Sequence, residues 1–152
     1  MRIMKLIAGT TAAFLGLSLT MAGTASAAAG TWVPYGNDNP IIGSPATWKC
    51  AGSRTVATNV IAQVCAIRSK SGGSVQGAVI VRNNRSGLFS TTAEMDLQDV
   101  NSGSELGLWS CASSGIAANS WSVCFGKTIA WGQTVNSAGW AKGVYLGISG
   151  NV

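Results

Sequence analysis

Hydrophobic and polar residues alternate most regularly over residues 88–98. Phe89, Thr91, Ala93, Met95 and Leu97 fall on one face of an extended chain, and Ser90, Thr92, Glu94, Asp96 and Gln98 on the other. A period of two over that length predicts a strand with one face buried and one in water. Residues 59–68 and 75–82, rich in Val, Ile and Ala, predict two more strands around the turn Ser69-Lys70-Ser71-Gly72-Gly73-Ser74. Asn83-Asn84-Arg85-Ser86-Gly87 is the next turn, and strands at 105–112, 121–129 and 139–149 follow, separated by Ser/Gly/Asn loops. Val56, Val60, Ile61 and Val64 also fit a helical spacing, but the β-branched residues around them favour a strand. Short strands at regular intervals predict an all-β fold: an antiparallel β-sandwich, Ig-like or barrel-like.

The three prolines, Pro34, Pro40 and Pro45, all precede this region. Proline fixes φ, donates no hydrogen bond and pushes the preceding residue into extended geometry. Residues 28–45 are therefore expected to form an extended Pro/Gly-rich segment leading into a sandwich over 46–152. The segment carries Trp32, Val33, Tyr35, Ile41 and Ile42, more apolar surface than a solvated tail needs. With Pro34 these are the candidate partner-binding residues. Trp32 is expected to face outward or onto a partner, because its proline-rich surroundings cannot join a central strand.

Residues 1–27 read as a secretory signal. Arg2 and Lys5 supply the positive start, an apolar run follows, and Ala25-Ser26-Ala27 provides the small residues of a cleavage site. The run is diluted by Ala, Gly and Thr, which argues against a stable membrane anchor. Removing 27 of 152 residues leaves 125, beginning at Ala28, and places the protein outside the cell.

That compartment gives the cysteines a meaning. Cys50, Cys65, Cys111 and Cys124 all follow the expected cut, and an even count in an exported chain indicates disulfides. Three connectivities are possible; intervals of 15 and 13 favour the local staples Cys50–Cys65 and Cys111–Cys124. Loops of that size stabilise by roughly 3 kcal/mol each in the chain-entropy account. The words Trp48-Lys49-Cys50-Ala51 and Trp109-Ser110-Cys111-Ala112 resemble one another and hint at a duplicated half. With no CxxC spacing and no histidine, a metal site is not indicated.

Charge and composition narrow the chemistry. The chain has ten Lys and Arg against five Asp and Glu; without Arg2 and Lys5 the balance is +3. The cations are dispersed, so no nucleic-acid partner is expected. Lack of histidine removes Ser-His-Asp and Cys-His catalysis. Glu94 and Asp96 share a strand face, as a glycosidase pair would, yet two acids there read first as a solvated face. No cofactor-binding word is present and no catalytic residue is assigned; the sequence reads as that of a non-enzyme. The six tryptophans are the unusual feature. Trp48 and Trp109, each two before a cysteine, are expected to shield the staples; others can serve a protein interface or a sugar platform.

An Ala-rich export signal, a Ser/Gly/Thr/Asn-rich β-domain and two short disulfide loops together resemble small secreted proteins of actinobacteria. Within that group the chain is most similar to the small bridging subunits of umbrella toxin particles. The lead segment at 31–45 and the words Trp48-x-Cys50-Ala51 and Trp109-x-Cys111-Ala112 carry that likeness. It implies a β-sandwich adaptor linking a lectin-bearing subunit to a toxin chain, docking by adding its lead segment as a strand. The 15-residue Cys50–Cys65 interval is also similar to one in secreted subtilisin inhibitors, whose second interval is wider than the one here. Enediyne-carrier sandwiches share the size, with shorter disulfide loops. Three roles follow: an adaptor binding other secreted proteins of the same organism, a protease inhibitor presenting Arg54 or the Lys70 turn, or a glycan-binding module.

Overall fold

The alternation over residues 88–98 is realised in space: Phe89, Thr91, Ala93, Met95 and Leu97 are each at most 4% exposed. A computed structural model describes residues 26–152; the expected leader, save Ser26 and Ala27, lies outside the described residues. The described chain forms thirteen strands: β1 (Ala28–Ala29), β2 (Thr31–Gly36), β3 (Thr47–Cys50), β4 (Arg54–Ala57), β5 (Val60–Arg68), β6 (Ser74–Asn83), β7 (Phe89–Asp99), β8 (Glu105–Ile116), β9 (Ser120–Phe125), β10 (Ile129–Ala130), β11 (Val135–Asn136), β12 (Ala138–Ala141) and β13 (Val144–Ile148). No described helix is long and apolar enough to cross a membrane.

The strands form two sheets packed face to face. The first has the order β1-β8-β7-β12-β13, with β11 also on β7; the second runs β2-β9-β6-β5-β3, with β10 on β6 and β4 on β5. All pairings are antiparallel except β1 with β8. Val64, Val79 and Val81 of the second sheet belong to the same buried core as Met95, Leu97, Trp109 and Leu146 of the first. Central β6 is buried on both faces, which explains its unbroken run Ala78-Val79-Ile80-Val81.

Local chemistry sets the connections. The region 55–64 is a hairpin: Ala57 pairs with Val60, and Asn59 takes a left-handed conformation at φ 57° in the two-residue turn. The single strand expected over 139–149 is instead β12 and β13. Lys142 and Gly143 between them have φ values of 49° and 74°, the primed turn that matches strand twist. The strand expected at 121–129 ends at Phe125.

Both staples are present: Cys50 is bonded to Cys65, and Cys111 to Cys124. They are different devices. Cys50 and Cys65 lie opposite one another on neighbouring β3 and β5, whereas Cys111 on β8 and Cys124 on β9 bridge the two sheets. The matching words around Trp48 and Trp109 therefore do not occupy equivalent places. Trp48 lies half-buried on the outside of the second sheet, and Trp109 is in the inter-sheet core.

The lead segment is built into the sandwich rather than appended to it. Ala28 and Ala29 pair with Trp109 and Ser110, and the chain then crosses to the other sheet, where residues 31–36 pair with β9. Gly30 makes the crossing, donating its N–H to Ser110 O at 2.8 Å. A Cβ there would sit 2.8 Å from Cys111 Sγ and 2.9 Å from Phe125 O, so only glycine passes. Pro34 is tolerated because β2 is an edge strand with an irregular register at Pro34/Gly36.

Candidate functional site

The six partner-binding candidates separate in space. Trp32 pairs in register with Cys124 and packs against the inter-sheet core. Its indole donates to Ala112 O on the opposite sheet. The expectation that it faces outward is corrected: joining an edge strand leaves its side chain on the inner face. Val33 is half-buried opposite Val123, and Pro34 is exposed. Tyr35 and Ile41 lean on the outside of the second sheet, and Ile42 beside them is 80% exposed.

That outer face is the first notable surface. An antiparallel sheet with one face in water ordinarily turns polar residues outward. Here the outer positions Cys65, Ile67, Ala78, Ile80 and Val123 are apolar and buried, beneath Tyr35, Ile41, Trp48, Trp121 and Phe125, which remain partly open. Much of the cover comes from the loop joining β2 to β3. Asn39 Oδ1 accepts the Ile41 N–H at 2.9 Å, Pro40 is buried, and Trp48 Nε1 donates to Ser44 Oγ at 2.9 Å. Trp48 meets Phe125 edge-on with ring centroids 6.0 Å apart. The Arg82 guanidinium lies 5.2 Å from the centre of the Trp121 ring. The aromatics that cluster here come from strands far apart in sequence, and only Tyr35 among them belongs to the candidates read from the sequence.

The second surface is a groove of about 720 Å³ on the first sheet. Its lining includes Thr92 and Glu94 of β7, Ser110 and Ala112 of β8, and Trp140 and Lys142 at the far bank. Ser110, Glu94, Trp140 and Tyr145 lie abreast across β8, β7, β12 and β13. The Trp140 and Tyr145 rings are 5.1 Å apart, and Tyr145 is 48% exposed. Lys142 follows from the turn: its N–H donates to Thr92 O, and its Nζ stands 5.1 Å from the Phe89 ring centre. Neither Tyr145 nor this groove has a linear signature, because a cross-strand row joins residues distant along the chain.

The remaining charged groups mostly hold the scaffold. Asp96 is not on a solvated face; it is 6% exposed and accepts from the Ala138 N–H and from Gln98 Nε2. That leaves Glu94 as the carboxylate on the groove. Asp99 accepts the backbone N–H groups of Asn101 and Ser102 and the indole N–H of Trp131. The Ser102 N–H is the largest influence holding its carboxyl below the usual range; burial works the other way, and the Trp131 indole adds to the lowering. Arg68 donates to the carbonyls of Gly72, Trp131, Gln133 and Val152, pinning two loops and the last residue at one end. Arg54 is exposed on β4, with a hollow of about 330 Å³ nearby, and Lys70 is exposed in the β5–β6 turn. Among the described residues no three His, Cys, Asp or Glu side chains cluster as metal ligands do.

A scan against protein-family models finds no match, and a search of curated proteins finds none either.

Proposed function

We propose that the protein is a noncatalytic binding protein that works outside the cell as an adaptor and holds another secreted protein of the same organism against the outside of its second sheet. The observation that carries this reading is the apolar outer face, half-covered by its own loop, with Ile42 80% exposed at its margin. A partly open aromatic cluster beside an exposed aliphatic anchor is the composition of an interface centre. The contact differs from the one the sequence suggested. Trp32 and the β2 strand are spent on closing the sandwich, so the partner meets Tyr35, Ile41, Ile42, Trp48 and Trp121 rather than a free strand. Export is supported by the leader-like residues 1–27 and by two disulfides, which persist in oxidising compartments.

The test is recovery of the protein from its native culture medium as wild type and as Ile42→Asp. Ile42 is exposed, so the variant keeps its fold. The expected result is a second secreted protein that elutes with the wild type in fixed ratio and is lost from the variant. Elution of the wild type alone at every concentration overturns the proposal.

A further inference from the structure

The groove on the first sheet is independent of the docking face, which lies on the outside of the other sheet. We infer that it is a carbohydrate-binding site that takes a short, neutral oligosaccharide, with Trp140 as the stacking platform and Glu94 and Lys142 as the groups that grip sugar hydroxyls. A pyranose ring is amphipathic. Its C–H face is apolar with slightly positive hydrogens, and its rim is hydroxyl. The matching receptor offers an aromatic face, whose quadrupole is negative, beside fixed donors and acceptors. The row Ser110, Glu94, Trp140 and Tyr145 supplies that alternation on one rigid sheet.

Three observations favour a sugar over other occupants. The volume of about 720 Å³ lies in the range of small-ligand clefts, roughly 300–1,000 Å³. The lining is mixed: one large aromatic stands beside small residues, Ser110 and Ala112, and hydroxyl-bearing Thr92. Glu94 and Lys142 both line the groove, so an acceptor and a donor side chain for hydroxyls stand beside the aromatic ring. The geometry is also set before any ligand arrives. Trp140 is fixed between Glu94 and Tyr145 in the ladder, and the Lys142 backbone is tied to Thr92. Preorganisation of this kind lowers the ordering cost of binding a weakly interacting, flexible chain.

Isothermal titration calorimetry with chitotetraose, cellotetraose, xylotetraose, laminaritetraose and maltotetraose tests the inference. At least one is expected to bind the wild type saturably. Trp140→Ala is expected to weaken that binding by about tenfold or more, and Trp140→Tyr to recover part of it. Glu94→Gln, which keeps shape and loses charge, is expected to weaken it severalfold. A folded Trp140→Ala variant that binds as well as the wild type overturns the assignment, as does a wild type that binds none of the five at millimolar concentration. Loss of the co-eluting protein in Trp140→Ala, with no sugar bound, assigns the groove to a protein interface and also overturns it. Because Ile42→Asp leaves the groove intact, the adaptor reading and the sugar reading fail separately.

Discussion

The indole N–H of Trp32 donates to the carbonyl oxygen of Ala112 across 2.8 Å, from the edge strand of one sheet to the longest strand of the other. The contact makes Trp32 a clasp at an open end of the sandwich. Trp32→Phe keeps most of the ring's packing and loses the hydrogen bond, so it is expected to cost about 1 kcal/mol. Trp32→Ala removes the ring as well. It is expected to cost about 2–3 kcal/mol, below the ~3–5 kcal/mol of a fully buried aromatic. Urea denaturation of the two variants measures the difference; equal costs would mean that packing contributes nothing there.

Gly30 gives a sharper steric prediction. Its missing Cβ is the clearance between the chain and both Cys111 Sγ and Phe125 O. Gly30→Ala is expected to destabilise by about 1–3 kcal/mol, as overpacking does. At Gly36, where the space is open but φ is +56°, alanine meets only backbone strain, expected at about 1 kcal/mol. Thermal melts that rank the two in the reverse order would contradict the crossing geometry.

The two disulfides are expected to fail differently. Replacing Cys111 and Cys124 with alanine unties one sheet from the other, and replacing Cys50 and Cys65 loosens only the margin of the second sheet. Each loop is worth roughly 3 kcal/mol by chain entropy. Amide hydrogen exchange distinguishes them: the first pair is expected to raise exchange in β1, β2 and β8, the second in β3 alone.

Asp99 is expected to contribute to the acid limb of stability. Its folded carboxyl titrates below the ordinary 3.8, chiefly through the Ser102 N–H, with Trp131 assisting. A lowered folded value means that the unfolded chain binds the proton first as pH falls. The contribution is therefore complete above the ordinary value and is lost on passing down through the folded one. Asp99→Asn is expected to flatten the fall in stability below about pH 4, measured as urea midpoints in acid. An unchanged slope would show that another carboxylate governs it.

The sequence reveals the elements that depend on neighbours in the chain. The alternation at 88–98, the turns at 69–74 and 83–87, and the pairing of cysteines 15 and 13 apart are all local, and all are found in the structure. Register is not local. Nothing around Trp140 announces that Glu94 will lie beside it, and nothing around Trp48 announces Phe125. The Lys142-Gly143 turn was legible in principle, since a left-handed pair ahead of β-forming residues is a hairpin signal; the apolar run through 139–149 hides it. Arg68 and Asp96 carry charge and so read as surface. Their roles appear only once the carbonyls and N–H groups they serve are brought within reach.

Because Ala28 and Ala29 lie beside Trp109 and Ser110, while Thr31 lies beside Phe125, the earliest-made strands of the sandwich wait for some of the last. A ribosome-bound or threading chain that has not yet released residue 125 has no place to put the Trp32 ring. Closure is thus a late, long-range event, with the slow kinetics of distant pairing.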